Sequence, residues 1–541
     1  MSETASTRAL QGRHHRPSVT TAPGLLPSLD PLLREWVPRQ RWFAGKGRPV
    51  TGFDLVAAAE LLPVDGTAGG AAAPGLLHLL VRARQPGIKT RAPEDDDCYQ
   101  LLLGVHGTLP PRLAHALIGR PDGGPLAGRT VYDALLDPRL CTLLLERLRV
   151  PGQLGALRFT VEPETSLASG LSARPLTTEQ SNTSVVFGDA YILKVFRRAS
   201  PGLNPDLELP LALARAKCSR VPPPVAWFES DAAGPVTAAE GPRHHAAEPI
   251  TLGVLTPFLD GAADGWQLAL NALSVRADFT GSARALGHAT AEVHTALAET
   301  LPTTELRRTH LELIAAGMAE RLDAAARAVP ALRPYRTRLR TAFHALTTLG
   351  RDGRTFAAQR IHGDLHLGQT LRSAGEGRWS VIDFEGEPAR PLAERRDVQP
   401  AVRDVAAMLR SFDYAARSGP GGGDAWSLEW ARRARTAFCR GYAEAGGLDP
   451  DSVPELMRAY ETDKAVYEVL YEARHRPDWL PIPMAAVRRL AGPDPRLGTD
   501  PQLTTDPHVG AGPDPYAEAD PEEGDPSFPT YAPPEDRTRP E

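Results

Sequence analysis

Short apolar runs separated by glycine and proline fill the first half of the chain. Residues 75–84 and 98–107 are runs of this kind and predict strands. Residues 184–196 form two β-rich runs around a Gly-Asp pair, the pattern of a hairpin. Beyond Gly261 the apolar spacing becomes helical, and one predicted core face carries Leu286, Ala289, Val293 and Leu297. The pattern predicts an α+β chain in two lobes, the second mainly helical.

The segment after the hairpin predicts a helix, because Asn204 can cap it and Pro205 can occupy its first turn. The second hairpin strand carries Lys194 among apolar neighbours, and a lysine is costly to bury unless it is paired. Glu208, on the predicted helix, is the expected partner. The alternatives are an edge-strand lysine that faces water and a solvated Glu208.

Composition excludes several classes of protein. The 541 residues are 42% hydrophobic and 23% charged, an ordinary globular balance that suggests three or four units. A net charge of −5 argues against a broadly basic nucleic-acid binder. No apolar run is long enough for a membrane span, and the first thirty residues lack a secretory signal. The four cysteines lie far apart, so we expect a reduced, cytoplasmic setting. From the net charge and the apolar runs, we expect neither a nucleic-acid nor a membrane partner.

Changes in composition along the chain divide it into five segments, three of which are expected to be folded units. Residues 1–24 are polar and are expected to be disordered, and residues 492–541 form a proline-rich tail with twelve acidic residues against three arginines. Between them we expect a first unit at 25–150, a strand-rich unit at 151–260 and a helical unit at 261–491. The tail is either a solubilising extension or a docking segment.

The strongest chemical signal lies in residues 360–396. Gly363 permits a tight turn that displays the Asp364 carboxylate, and Gln369 offers a neutral oxygen ligand five residues later. A predicted buried strand then ends at Asp383, a second carboxylate. Taken singly, each aspartate is more often a turn cap. Together they form the set that Mg²⁺-assisted phosphoryl transfer needs.

A second signal is a polar and aromatic stripe in residues 463–475. Its members fall at helical spacing: Lys464, Tyr467, Glu468, Tyr471, Glu472 and His475. Carboxylates and a lysine can bind sugar hydroxyls, and aromatic rings can cover apolar sugar faces. The alternative is a solvated helix face with an intrahelical Lys464–Glu468 pair.

These motifs resemble the kinase-like phosphotransferases that include aminoglycoside and choline kinases. More narrowly, the chain resembles actinobacterial maltokinases over about residues 30–490. The segments that carry the resemblance are 41–48, 181–198, 204–208, 362–372, 383–396, 403–416 and 463–483. It implies a bilobal eukaryotic-protein-kinase-like fold with an extra N-terminal α/β cap domain that packs on the nucleotide-binding lobe.

The resemblance also implies roles for the residues of the site. Asp364 would take the proton from the acceptor hydroxyl or orient it, while Gln369 and Asp383 would hold Mg²⁺. Lys194, with Glu208, would bind the phosphates of ATP. Since no glycine-rich loop precedes Lys194, the polar segment 180–184 is expected to turn over the phosphates. Its candidate ATP-binding residues are Ser181, Asn182 and Thr183, and the alternative is a plain surface turn.

The acceptor side is expected to involve the stripe residues Lys464, Tyr467, Glu468 and Tyr471. Glu385 would serve the metal or the sugar, and His362 would bind the sugar or support its own loop. Residues 255–259 are expected to bind adenine, on the basis of their position in the chain alone. Trp266 and Trp479 are weaker candidates for the sugar, and the alternative for each is a place in the core. Three arginines either bind phosphate or pair with Glu387 and Glu394: Arg390, Arg395 and Arg396.

The resemblance implies an ATP-dependent kinase that converts maltose to maltose 1-phosphate in α-glucan synthesis from trehalose, with a trehalose synthase as the natural partner. Two alternatives stay open. One keeps the fold with another sugar or an aminoglycoside-type acceptor. The other is a non-catalytic kinase-like scaffold.

Overall fold

The computed structural model describes residues 19–22, 24–64, 74–86, 98–176, 182–231, 248–387, 390–419 and 422–492. Most of the N-terminal segment that the sequence predicts to be disordered, nearly all of the acidic tail and Ser181 lie outside the described residues.

The first sheet and its two helices consist of α1 (Leu25–Trp36), β1 (Gly52–Leu62), β2 (Gly75–Arg84), β3 (Cys98–His106), β4 (Leu117–Gly119), β5 (Thr130–Asp133) and α2 (Pro138–Leu148). The sheet is antiparallel, with the strand order β1-β2-β3-β5-β4. Both predicted strands are confirmed. Along β2, Leu77 and Leu79 pack with α1, whereas Leu76 and Leu80 pack with α2. Because both faces of the sheet are covered, β2 and β3 are almost entirely buried.

The second sheet has the order β6-β7-β12-β13-β10-β9-β8. Its elements and the short segments near it are β6 (Gly152–Leu154), β7 (Leu157–Val161), β8 (Ala173–Pro175), β9 (Asn182–Phe187), β10 (Tyr191–Phe196), β11 (Arg198–Ala199), α3 (Pro205–Arg215), β12 (Ala226–Ser230) and β13 (Ile250–Pro257). The predicted hairpin is β9–β10, and Gly188 takes a φ of 54° in its turn. The predicted cap of α3 is also confirmed, because the Asn204 side chain accepts from the Asp206 N–H.

The remainder is mainly helical, as the apolar spacing predicts. Its elements are β14 (Ala263–Asp264), α4 (Gly265–Ser274), α5 (Thr280–Thr300), β15 (Thr304–Leu306), α6 (Arg308–Ala328), α7 (Arg336–Arg351), β16 (Phe356–Ala358), β17 (Thr370–Arg372), β18 (Trp379–Val381), α8 (Leu392–Arg395), α9 (Val402–Ser418), α10 (Ala425–Glu444), α11 (Pro454–His475) and α12 (Pro481–Ala491). The four predicted core residues of α5 are buried in the main hydrophobic cluster. Among the described residues, no helix combines the length and the apolar character needed to cross a bilayer.

The two larger sheets are joined by one hydrophobic core and by buried polar contacts. Strand β11 pairs with β3, and one cluster of buried side chains draws on both sheets. The Gln100 side chain of β3 donates to the carbonyl oxygens of Phe196 and Leu252, both at 2.8 Å. Its own oxygen lies 3.0 Å from His78 Nε2. The packing expected of the first unit on the second is therefore confirmed.

A second buried joint lies beside the hairpin. The Arg197 guanidinium donates to Asp133 of β5 at 2.6 Å and to the Thr183 hydroxyl of β9 at 2.8 Å. The side chains of Arg197 and Asp133 are only 3% and 6% exposed. The first sheet therefore holds the strand that runs beside Lys194.

The burial of His78 predicts a dependence of stability on pH. Burial lowers the pKa of His78 to about 4, against the smaller raising effect of its hydrogen bond to Gln100. Between that value and the unfolded pKa of about 6.5, only the unfolded chain binds the proton. The contribution of neutral His78 is therefore complete above about pH 6.5, and stability falls by up to about 1.4 kcal/mol per pH unit toward pH 4.

This dependence can be measured as the melting temperature from about pH 7 to about pH 5. We expect His78→Gln to flatten the profile in part, because buried His366 carries a similarly lowered pKa and remains in the variant. Exposed His344 on α7 gives the matched control, His344→Gln. Equal slopes in the wild type and His78→Gln would contradict this reading.

Candidate active site

A cleft of about 940 Å³ lies between the second sheet and the helical half. One part of its wall is apolar and carries Ile192, Val254, Leu371, Ile382 and Phe384. The segment predicted to bind adenine contributes Thr256, Pro257 and Leu259. The other part is polar and carries Asn182, Lys194, Asp206, Gln369 and Asp383. An apolar slot beside a charged end suits a molecule with a flat ring and an anionic tail.

Lys194, on β10, lies among three carboxylates. Its Nζ is 3.0 Å from Asp206 Oδ2, 2.5 Å from Asp383 Oδ1 and 2.6 Å from Glu385 Oε1. Burial alone would lower the pKa of the lysine, but the three carboxylates together raise it well above its usual value. Lys194 is therefore a buried, permanently charged ammonium that faces the cleft.

The expected pairing of Lys194 with Glu208 is wrong. Glu208 binds Arg360 of the helical half at 2.6 Å and lies 3.7 Å from Arg396. Helical residues two positions apart point in different directions, and it is Asp206 that faces β10, with its carboxylate bound by Lys194 and by the Phe384 N–H. The sequence predicted the helix correctly, but it did not predict which face of the helix meets β10.

The loop that carries Asp364 is held by a buried aspartate that the sequence analysis missed. Asp404, in the first turn of α9, accepts the N–H groups of His362 at 2.8 Å and Gly363 at 2.9 Å. Its carboxylate also lies 3.1 Å from His294 Nε2, and His294 Nδ1 lies 2.8 Å from the Tyr442 hydroxyl. Burial alone would raise the pKa of Asp404, but these hydrogen bonds and nearby histidines lower it. Asp404 therefore fixes the backbone of the loop as a charged group.

His362 belongs to the same group of contacts that hold the Asp364 loop. Its ring is buried, Nε2 lies 2.9 Å from the Ile382 carbonyl, and the ring packs against Phe384 at 4.8 Å between centroids. These contacts favour loop support over sugar binding, the two roles that the sequence left open.

Asp383 has a left-handed backbone, with a φ of 65° at a residue that is not glycine. Such a conformation is costly and is kept where the surroundings impose it, often at functional sites. Its Oδ2 accepts from Gln369 Nε2 at 3.0 Å. Gln369 Oε1 is buried and has no hydrogen-bond partner among the described residues. A free amide oxygen beside a carboxylate is a donor set that fits Mg²⁺.

The same region contains a wider set of carboxylates. Asp206, Asp383 and Glu385 each place an oxygen within 4.8 Å of the others, which would also suit a divalent ion. Glu385 accepts from the Asn182 side chain as well as from Lys194. The Glu385 carboxylate therefore lies beside the residues at the polar end of the first cleft, which favours the metal over the sugar among the two roles expected for it.

The polar segment 180–184 is only partly described. From Asn182 onward it is strand and not a turn, with the Thr183 hydroxyl engaged by Arg197. The three candidate arginines have ordinary partners: Arg390 pairs with Glu387 at 2.6 Å, Arg395 donates to the Glu385 carbonyl, and Arg396 pairs with Glu208 and Glu248.

A second cleft, of about 680 Å³, lies on the other side of the Asp364 loop. The loop contributes Gln369 to the first cleft and Asp364 to the second, so it runs between the two. The polar stripe of α11 lines the second cleft through Lys464, Tyr467, Glu468, Tyr471 and Glu472. Trp266 and Trp479, the weaker candidates, line it as well. The predicted stripe therefore faces a cavity beside Asp364.

Every carboxylate of this second cleft has a cationic partner. Lys464 Nζ lies 3.0 Å from Asp364 Oδ1, and Arg410 donates twice to Glu468 Oε2, at 2.7 and 3.0 Å. Arg476 binds both oxygens of Glu472, at 2.8 and 3.0 Å. The expected alternative of an intrahelical Lys464–Glu468 pair is therefore wrong.

The rings of the second cleft provide flat apolar surface. Tyr467 and Tyr471 are nearly parallel, with centroids 6.3 Å apart and an interplanar angle of 23°. Arg410 and Arg476, which neutralise the carboxylates, were not found from sequence, because they lie outside the spacing that defines the stripe.

The chain matches two known families. Residues 36–137 match the maltokinase N-terminal cap domain, and residues 172–456 match the phosphotransferase enzyme family. A glucosamine kinase of Streptacidiphilus jiangxiensis is 31% identical over 350 residues, which cover 60% of this chain and 75% of the relative. A glucosamine kinase of Mycolicibacterium smegmatis is 30% identical over 345 residues, covering 59% and 79%.

Solved structures show the same fold. A glucosamine kinase in complex with glucosamine, ADP and inorganic phosphate has a TM-score of 0.57 at 23% identity, covering 86% of this chain and all of that one. A second crystal form of glucosamine kinase gives 0.58 at 22% identity. The expected resemblance and the kinase-like fold with its cap domain are thereby confirmed.

Proposed function

Because this chain belongs to the phosphotransferase enzyme family and carries a maltokinase cap domain, we propose that it phosphorylates maltose at the anomeric hydroxyl. The products are maltose 1-phosphate and ADP. The proposal includes the setting that the resemblance implies, namely cytoplasmic α-glucan synthesis from trehalose with a trehalose synthase as partner.

The charge balance of the second cleft is the observation that supports this acceptor. Glucosamine and aminoglycosides carry ammonium groups, which are bound well by carboxylates that lack another cation. Here Asp364, Glu468 and Glu472 are each paired with a lysine or an arginine. Neutral hydroxyls can share such pairs as donors and acceptors, and the two parallel tyrosines suit sugar faces. The cleft therefore favours a neutral sugar over the amino sugar of the curated relatives.

The reaction is assigned to the wall between the two clefts. Asp364 would accept the hydrogen bond of the anomeric hydroxyl and hold it in line with the γ-phosphate of ATP. Lys464, whose Nζ lies 3.0 Å from Asp364 Oδ1, would hold that carboxylate in place. Such positioning supplies much of the catalysis in phosphoryl transfer, where little covalent chemistry falls to the protein.

On the nucleotide side, Lys194 would bind the phosphates and the apolar wall would bind adenine. Asp383 and Gln369 would hold Mg²⁺, with Glu385 beside them. When bound, the ion offsets the charge that develops on the transferred phosphoryl group. Asn182, which lines the nucleotide cleft, would contact the phosphates, and Ser181 stays a candidate. Thr183 does not line the cleft, because its hydroxyl binds Arg197.

The test is a panel of acceptors with Mg²⁺ and ATP: maltose, glucose, glucosamine, trehalose, maltotriose and kanamycin, with a control that has no acceptor. Phosphorus NMR identifies the product. We expect an anomeric phosphate on maltose and a rate on glucosamine at least about tenfold lower, since an unpaired ammonium would meet no free carboxylate.

Phosphorylation of glucosamine or kanamycin alone would support kinase activity but contradict maltose as the acceptor. Nucleotide binding without turnover of any acceptor would favour the scaffold alternative.

A further inference from the structure

A third cleft, of about 420 Å³, lies next to the acceptor cleft and takes no part in the proposed reaction. Arg321 reaches it from α6, Arg403 from α9 and Arg390 from the segment before α8. Lys464 and Tyr467 line both this cleft and the acceptor cleft. The third cleft therefore shares a wall with the site around Asp364.

The charges that line this cleft do not balance. Its four cations are Arg321, Arg390, Arg403 and Lys464, and its two carboxylates are Glu387 and Asp463. Asp463 binds the Arg321 guanidinium at 2.8 and 2.9 Å. Glu387 is shared, at 2.6 Å from Arg390, 3.1 Å from Arg403 and 3.7 Å from Lys464.

The shared Glu387 carboxylate is divided among three cations, so it cannot fully neutralise any one of them. Two further carboxylates touch these cations from outside the cleft: Asp364 at Lys464, and Glu394 at 3.7 Å from Arg390. Counted with these two, four carboxylates face the four cations, so the excess of positive charge is confined to the side chains that line the cleft.

A buried hydroxyl supplies an independent sign of a ligand. Tyr460 lines the cleft and is only 5% exposed, yet its hydroxyl has no hydrogen-bond partner among the described residues. A buried hydroxyl without a partner is costly, and native proteins usually satisfy such groups. Arg403, Asp463 and Arg321 are the charged groups that act on it most strongly. Because the groups around the Tyr460 hydroxyl are mainly guanidinium groups, which cannot accept its hydrogen bond, the acceptor that fits there is an anion.

We propose that this cleft binds a tetrahedral phosphate oxyanion. Guanidinium forks match the oxygen geometry of phosphate, and a tyrosine hydroxyl can donate to a further oxygen. Two sources share this chemistry, inorganic phosphate and the phosphoryl group of a sugar phosphate. Binding of a sugar phosphate rests on the proposed function, because the phosphoryl group of the product would have to move from Asp364 past Lys464 into the third cleft. Binding of inorganic phosphate does not rest on it.

The test measures the affinity of the full chain for inorganic phosphate by calorimetry, without nucleotide or acceptor. We expect saturable binding that Tyr460→Phe and Arg321→Gln each weaken about tenfold, the loss of one charge-assisted hydrogen bond. Tyr335→Phe, at a partly buried tyrosine beside α7, is the matched control and should leave the affinity unchanged. Tyr460→Phe keeps the shape of the side chain, so it tests the site even if Arg321→Gln folds poorly.

Absence of saturable binding would overturn the proposal. Equal affinities in the wild type and Tyr460→Phe would also overturn it, because they would show that phosphate binds elsewhere, for example in the nucleotide cleft. A second titration uses maltose 1-phosphate. If Tyr460→Phe weakens both ligands, the site also takes the phosphoryl group of the product. If it weakens only inorganic phosphate, the free ion is the ligand. Neither titration requires turnover, so failure of the maltose assignment leaves the first result intact.

Discussion

Replacing Asp364 by asparagine is expected to lower kcat about a thousandfold, within the range that a positioned acid or base contributes. The amide keeps the shape of the side chain but cannot accept a proton, and it cannot hold Lys464 by charge. Affinity for ADP should be unchanged, because Asp364 lines the acceptor cleft and not the nucleotide cleft. Steady-state kinetics with maltose, together with calorimetry of ADP binding, measures both quantities.

The matched control is Asp323→Asn on α6, where the carboxylate pairs with Arg336 at 2.6 Å near the surface. We expect kcat to stay within about twofold there, because surface ion pairs contribute little. An Asp364→Asn variant that keeps more than about a tenth of the wild-type kcat would remove Asp364 from its catalytic role.

Replacing Asp404 by alanine is expected to destabilise the protein by about 3 kcal/mol or more, because it leaves buried donors without an acceptor. The lost partners are the N–H groups of His362 and Gly363 and the ring of His294. Since those N–H groups fix the Asp364 loop, kcat should also fall about a hundredfold, the effect of a small misplacement of a catalytic group. Thermal unfolding and steady-state kinetics measure the two effects.

A graded variant separates support of the loop from general loss of packing. Asp404→Asn keeps one oxygen acceptor, so its losses should lie between those of the wild type and the alanine variant. Asp54→Ala, at an exposed carboxylate on β1, should change stability by less than about 0.5 kcal/mol. Full activity in Asp404→Ala would show that the loop holds its shape without this carboxylate.

Local patterns predicted the parts of the structure that depend on neighbours in sequence. The β9–β10 hairpin follows from a Gly-Asp turn between β-rich runs, and the start of α3 follows from Asn204 and Pro205. The stripe on α11 was predicted from spacing alone, and it does line a cavity. In each case the deciding interactions span only a few residues.

Pairings between distant residues could not be predicted in the same way. Lys194 meets Asp206 and not Glu208, because the outcome depends on how α3 packs against the helical half through Leu209 and Leu213. Asp404 is separated by about forty residues from the backbone that it holds. A usable signal existed there, since Asp404 directly precedes the apolar run Val405–Leu409 in the first turn of α9, and a charge is costly to bury without partners.

The joint between the two larger sheets has a consequence for the order of folding during synthesis. The ribosome releases the first sheet well before the second, but Leu76, Leu80 and Leu102 share their core with residues as late as Leu255. Gln100 likewise finds its acceptors only at Phe196 and Leu252. Domains usually fold in the order in which they emerge. Here the first sheet can pack on α1 and α2 as they emerge, but the part of its surface that packs on the second sheet stays uncovered until about a hundred more residues have left the exit tunnel.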